Sequence, residues 1–334
     1  MVLAKASGTS EQAAAAGRVL AIFPGALGDL ICLVPALRAL ARRHPDQTIE
    51  LMAREELARL AVGRIGIARA HSIDRREVAA LFAQDPDLAE ASAVFRPFVR
   101  VYSFFAAADP RFRRALEAAA APGAVSFHAF RPAGRGHVAA GYLNELGEGG
   151  GPSDTELDAH IDVLAGDTAE AGRALARLDL DKARVVLLFP GSGSAEKNWP
   201  AENFAALASA LPPPLRALVV LGPAERAIES VLMPLLAARG IAWLGGQPLG
   251  TIAGLAHLAA GFVGNDSGVS HLAAASGAPG VVIFGPTDPD RWRPLGRVRV
   301  VRALKLTDLS PAQLLALVKR QLFISRKVTR RQFR

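Results

Sequence analysis

The feature that most constrains this chain is a repeated unit: a short apolar run, a Gly- or Pro-bearing turn, then a helical pattern. It is plainest in the second half. Arg184–Phe189 ends in Pro190-Gly191-Ser192-Gly193-Ser194, and a helix over Ala201–Leu211 follows, stopped by Pro212-Pro213-Pro214. Arg216–Leu221 with Ala224–Ala238, Ile241–Leu244 with Leu249–Ala260, and Gly261–Gly264 with a helix through Ser276 repeat the alternation. Gly280–Phe284, an edge strand Arg297–Arg302 and an amphipathic helix Pro311–Phe323 close it. Apolar runs this short, with no polar residue at every second place, suit strands covered on both faces. The pattern therefore predicts a mostly parallel sheet between helices.

The first half opens the same way. Arg18–Phe23 reads as a strand and Pro24–Asp29 as a turn; Leu30, Leu33, Val34, Leu37 and Leu40 then recur at helical spacing up to Arg42-Arg43-His44-Pro45. Further strands are predicted at Thr48–Met52, Ala70–Ile73, Phe98–Phe105 and Ala124–Phe127, with helices at Glu55–Ala61, Arg111–Ala121 and His137–Leu146. Two more helices, Thr155–Leu164 and Ala169–Leu178, lead to the second half. A chain of 334 residues, 51% hydrophobic, has enough apolar side chain for two cores. The expected fold is α/β: two Rossmann-like doubly wound domains facing a cleft. Residues 18–165 form the first and 166–309 the second, preceded by a disordered leader, 1–17. A helix with a basic tail, 310–334, follows and packs back on the first domain.

Composition excludes several functions. Cys32 is the only cysteine, so no disulfide framework or cysteine zinc site can form within one chain, and it reads as a small packing residue. The seven His show no ligand spacing, and no metal or cofactor site is expected. Gly240–Asn265 and Ser267–Thr287 carry no Asp, Glu, Lys or Arg, but Gly and Pro break both, which suits a buried core better than a membrane span. The net charge of +8 is concentrated at one end, where Arg326, Lys327, Arg330, Arg331 and Arg334 stand without an acid. No nucleic-acid-binding module accompanies them, so the tail is read as a peripheral contact with an anionic membrane face, on a cytoplasmic protein.

Three turns follow predicted parallel strands: Pro24–Asp29, Pro190–Lys197 and Asn265–His271. In doubly wound sheets ligands bind at that edge. The first turn offers a carboxylate, the second hydroxyls and a cation, and the third a helix start whose free amides favour an anion. Taken singly, Asp29 is a helix cap and His271 a buried histidine; Trp199, Trp243 and Trp292 are core or wall. Taken together, the three turns suit transfer of a group from a phosphate-linked donor.

The same stretches carry a resemblance. Gly25-Ala-Leu-Gly-Asp-Leu-Ile-Cys-Leu-Val-Pro35, Phe189-Pro-Gly-Ser-Gly-Ser-Ala-Glu-Lys-Asn-Trp-Pro200 and Gly264-Asn-Asp-Ser-Gly-Val-Ser-His271, with Phe284-Gly-Pro-Thr-Asp288 after them, resemble the motifs of glycosyltransferase family 9, the heptosyltransferases. The resemblance implies the GT-B fold and an inverting, metal-independent transfer from a nucleotide diphosphate sugar, typically ADP-heptose. The acceptor would be a lipopolysaccharide-core or other cell-envelope glycan. It implies Asp29 as general base, with Ser192, Gly193, Lys197, Glu225, Asp266, Ser267, Gly268 and His271 around the donor; Glu229 rivals Glu225 for the ribose. Pro24-Gly25-Ala26 departs from a run usually richer in Ser.

Two rival readings share these residues. A nucleotide-sugar isomerase on the same fold would consume the donor without an acceptor. A binding protein that has lost the chemistry would hold the donor without turnover, although the presence of both Asp29 and Lys197 argues against it. For the acceptor, Arg75, Arg76, Arg111, Arg113, Arg114, Arg131, Arg135 and His137 are candidate anion contacts.

Overall fold

A computed structural model describes residues 17–147, 157–222 and 228–329, with side chains as far as Leu322. Most of the expected leader, Glu225 and the basic tail lie outside the described residues. Contacts divide the chain into two units. One holds Leu33–Gly134, the chain up to Gly25 and Ala139–Pro152; the other holds Ala26–Cys32, Arg135–Val138 and the chain from Ser153 onward.

The first unit runs β1 (Arg18–Ile22), α1 (Leu27–Arg43), β2 (Thr48–Ala53), α2 (Glu55–Ala61), β3 (Arg69–Ser72), α3 (Arg76–Ala80), α4 (Leu88–Phe95), β4 (Phe98–Ser103), α5 (Pro110–Ala119), β5 (Val125–Phe127) and α6 (Val138–Glu145). Its five strands are parallel in the order β3-β2-β1-β4-β5, which reverses direction between β1 and β4. Leu20, Ile22 and Met52 pack with Phe95, Phe98, Phe112 and Leu116 on one side of the sheet. Glu50 of β2 is 1% exposed yet fully paired, to Arg18 at 2.8 and 2.9 Å and to His71 at 2.6 Å. Those partners hold its carboxyl below the usual range against the opposing effect of burial.

The second unit continues with α7 (Ala165–Ala176), β6 (Arg184–Phe189), α8 (Ala201–Ala210), β7 (Leu215–Leu221), α9 (Glu229–Ala238), β8 (Ala242–Gly245), α10 (Leu249–Leu258), β9 (Gly261–Asn265), α11 (Gly268–Ala275), β10 (Gly280–Phe284), α12 (Pro289–Trp292), β11 (Val298–Arg302) and α13 (Pro311–Thr329). The six parallel strands lie in the order β11-β10-β9-β6-β7-β8, with the reversal between β9 and β6. Both orders are of the doubly wound, Rossmann kind. Each sheet therefore has one switch point, and the turns after β1, β6 and β9 stand at them.

Two expectations change. Residues 157–164 are irregular, not helical: Ala159 and Ile161 are buried while Asp158, His160 and Asp162 face out, a two-residue period, and the Ile161 amide bonds the Ala275 carbonyl. The last helix was expected on the first domain; Leu314, Val318 and Leu322 instead join the core around Trp199, Phe204 and Val263. Gly261 leaves room for Leu322 against β9. Among the described residues no helix is long and apolar enough to cross a membrane.

Candidate active site

The third turn is fixed by its strand. β9 ends at Asn265, which is fully buried; its side-chain amide donates to the Pro190 carbonyl at 2.7 Å and its oxygen accepts the Trp199 amide at 3.0 Å. One residue thus ties the turn after β6 to the turn after β9. The sequence reading missed it, although an Asn closing an apolar strand beside Asp-Ser was the available signal. Trp199 is core as expected, 0% exposed, its indole donating to the Leu309 carbonyl at 2.9 Å.

Asp266 follows, 5% exposed, and accepts a hydrogen bond from Lys197 Nζ at 3.1 Å. Lys197 sits at the end of a short 3-10 turn, Ala195–Lys197, and its side chain keeps 29% of its exposure. The pair gives the site a held cation that still reaches solvent. Ser267 is the N-cap of α11, and its side chain bonds no amide of that helix; its hydroxyl lies 3.2 Å from that of Ser270. Ser192 is 6% exposed and turned inward on its own loop, its hydroxyl meeting the Ser194 carbonyl at 2.8 Å and Asn198 Oδ1 at 2.7 Å. It shapes the turn, while a Cβ at the neighbouring exposed Gly193 would meet nothing within 4 Å.

Residues Ala26–Cys32 group with this unit, and glycine makes that grouping possible. A Cβ on Gly268 would lie 2.9 Å from Leu27 Cβ and 3.0 Å from the Gly28 amide nitrogen; one on Gly28 would lie 3.4 Å from the His271 ring. The starts of α1 and α11 thus meet almost backbone to backbone. Asp29, 7% exposed in the first turn of α1, is brought beside the third turn, and its Oδ2 accepts the Ala26 amide at 3.0 Å. His271 is 4% exposed with Nδ1 3.7 Å from Cys32 Sγ. Burial, above all, pushes its imidazole down to about 4, with Asp266 opposing and His137 and Lys197 assisting. Burial, then Asp29 and Asp266, push the Cys32 thiol far up, so it stays protonated beside a neutral His271 and is no nucleophile. His137, expected to reach an anion, is buried, donating to the Arg293 carbonyl at 2.8 Å.

At the ends of β7 and β8, a concavity of about 290 Å³ is lined by Leu221, Met233, Trp243, Gly245 and Glu229. Glu229 opens α9, and Trp243 is 43% exposed. Among the described residues, no group of three or more His, Cys, Asp or Glu is placed to hold a metal ion.

The match to known proteins falls on this unit: residues 153–310 fit the model of glycosyltransferase family 9 (heptosyltransferase). Residues 153–310 belong to glycosyltransferase family 9. The structure of a family 9 glycosyl transferase from Veillonella parvula superposes with a TM-score of 0.76 at 19% identity, over 92% of this chain and 97% of that one. E. coli ADP-heptose LPS heptosyltransferase II gives 0.70 at 20%, over 92% and 99%. E. coli heptosyltransferase WaaC with ADP gives 0.65 at 20%, over 91% and 99%. Comparison with curated protein sequences found no match. At these identities the structural likeness is one of fold, and that fold is GT-B with two Rossmann-like sheets. The family 9 region contains Ser192, Gly193, Lys197, Asp266, Ser267, Gly268 and His271, while Asp29 lies outside it and reaches it through the Gly28–Gly268 contact.

Proposed function

We propose that this family 9 glycosyltransferase moves a sugar, heptose from ADP-heptose, to a lipopolysaccharide-core or other cell-envelope glycan, with inversion and without a metal. The observation that carries the reading is the approach of α1 to α11, which sets a carboxylate beside a held cation and a helix start. In this mechanism the acceptor hydroxyl attacks the anomeric carbon as the nucleotide diphosphate departs from the opposite face. Asp29 takes the hydroxyl proton. Lys197 and the first amides of α11 take up the charge of the leaving diphosphate, an electrostatic contribution made largest where water is excluded. Asp266 holds Lys197 in place, while neutral His271 adds no competing charge. The nucleoside is assigned to the Glu229–Trp243 concavity, with Glu225 the rival for the ribose. The basic tail supports contact with the cytoplasmic membrane face.

The test is calorimetric titration with ADP and a transfer assay with nucleotide sugars in excess EDTA. Lys197→Ala removes a charge-assisted contact, so ADP affinity should fall by about 10- to 150-fold, roughly 1.5–3 kcal/mol. Unchanged affinity in that variant removes Lys197 from the site. Activity that disappears in EDTA and returns with a divalent cation overturns the metal-independent mechanism.

A further inference from the structure

On the first unit, the loop Ala83–Leu88 and the first turns of α5 enclose a concavity of about 500 Å³. Its polar lining is Arg111, Arg114 and Gln84, and its apolar wall includes Pro86 and Leu88. The two arginines stand three residues apart on one helix, so their guanidinium groups share a face. The other arginines that the sequence singles out on this unit are engaged. Arg75 pairs with Glu77 and Arg76 with Glu90, each at 2.9 Å. Arg113 donates to the Ala107 carbonyl and lies over the Phe127 ring, and Arg131 lies over Phe130. Arg111 and Arg114, by contrast, have no side-chain partner among the described residues.

Of the acids nearest in sequence, Asp85, Asp87, Asp109 and Glu117, none forms an ion pair with either arginine among the described residues. Asp109 accepts the amides of Arg111 and Phe112 at 2.8 and 3.2 Å, and Asp87 accepts that of Ala89 at 3.0 Å. Both carboxylates are committed to capping helices. The helix under the arginines is held firmly: Phe112 is fully buried against Phe82, 4.9 Å between centroids, and Phe105, 5.3 Å. Two forked cations on a rigid face, unneutralised and bordering a hollow of molecular size, match a doubly charged tetrahedral anion better than a single carboxylate.

The edge on which they stand matters too. β4 lies beside β1, with Ser103 in register with Ile22, and the Phe104 amide bonds the Ile22 carbonyl at 2.9 Å. The segment leading to α5 therefore starts beside the turn that leads to Asp29.

We infer that the Arg111–Arg114 concavity binds a phosphate monoester, carried by the glycan acceptor. The source of the phosphate rests on the glycosyl-transfer reading; the binding itself does not.

Titration of the full chain by isothermal calorimetry at low salt, with inorganic phosphate and with glucose 6-phosphate, tests it, with glucose and glucuronate as controls. Both phosphates should bind and both controls should bind at least tenfold more weakly. R111Q/R114Q, on an exposed helix face and checked for fold by circular dichroism, should weaken the arginine-dependent binding at least tenfold. R111K/R114K, which keeps the charge and loses the fork, should bind more weakly than wild type and more tightly than R111Q/R114Q. The arginine-dependent component should persist in K197A, which separates it from phosphate held at the nucleotide site. Equal binding by wild type and R111Q/R114Q, no phosphate binding at all, or glucuronate binding as tightly as glucose 6-phosphate would overturn the inference. Phosphate binding as described in a protein that transfers no sugar would leave the site standing and refute only the transfer reading.

Discussion

Asp29 serves first as a cap: its Oδ2 takes the Ala26 amide, satisfying one of the donors that α1 cannot bond internally. A carboxylate at a helix start is kept ionised by the dipole and so is a weak base in the ground state; it need only receive a proton as the attacking oxygen's charge changes. Asp29→Asn retains an acceptor for the cap, so folding should be nearly unaffected while turnover falls by about 10²–10⁴-fold. A variant that folds, binds donor and transfers at the wild-type rate would make Asp29 a cap alone. Both roles were legible in the sequence, but the choice between them was not, because Gly-Asp before an apolar helix is also how an ordinary cap reads. His271 gives a second residue-scale test. Its folded imidazole sits at about 4 against an ordinary 6.5, so the unfolded chain takes up a proton first as pH falls. Stability from this residue is whole above pH 6.5 and declines toward 4. Between pH 7 and 5 urea titrations should show the wild type losing roughly 2 kcal/mol more than His271→Gln. Parallel losses in the two proteins would mean that His271 is not held neutral.

Helices reveal themselves in sequence when enough apolar side chains repeat at their period. α1 did so through Leu30, Leu33, Val34, Leu37 and Leu40, all buried. α3 buries only Val78 and α4 only Ala91 and Phe95, too few for a visible period, and neither was expected. The meeting of α1 with α11 was hidden for another reason: it depends on two glycines far apart in the chain, each of which reads locally as a turn residue. Gly268→Ala examines that meeting directly. The added methyl would stand 2.9 Å from Leu27 Cβ, and α1 has backbone, not a flexible side chain, behind it. Overpacking of this kind costs about 1–3 kcal/mol and should draw the Asp29 turn away from Lys197. Urea stability and transfer rate should both fall; if both stay at wild-type values, the close approach is not needed.

At the scale of the molecule, the sequence was most legible where both faces of a strand are covered, because every residue there must be apolar and the turn beyond it stands out. All three candidate turns stood out that way. The division of the chain was harder to read, since contacts, not composition, assign Ala26–Cys32 to the second unit. α13 is the sharpest case: an amphipathic stripe tells that a helix covers a core without telling which core. The structure places Leu309, Leu314, Val318 and Leu322 in the second, all at most 9% exposed, and the Leu309 carbonyl satisfies the Trp199 indole. Burial of such side chains contributes about 1.5–3 kcal/mol each, so the four together are worth roughly 6–12 kcal/mol. That is comparable with the whole stability of a domain, about 5–15 kcal/mol. A fragment of residues 153–329 should therefore unfold cooperatively in urea, whereas residues 153–306 should not fold, even though the shorter piece retains every strand of the second sheet. The Leu314→Ala and Leu322→Ala changes in the full chain, each costing about 2–5 kcal/mol, provide the same reading without truncation. Cooperative unfolding of 153–306 at the midpoint of the longer fragment, together with unaltered stability of those two variants, would show that α13 lies on the second core without supporting it.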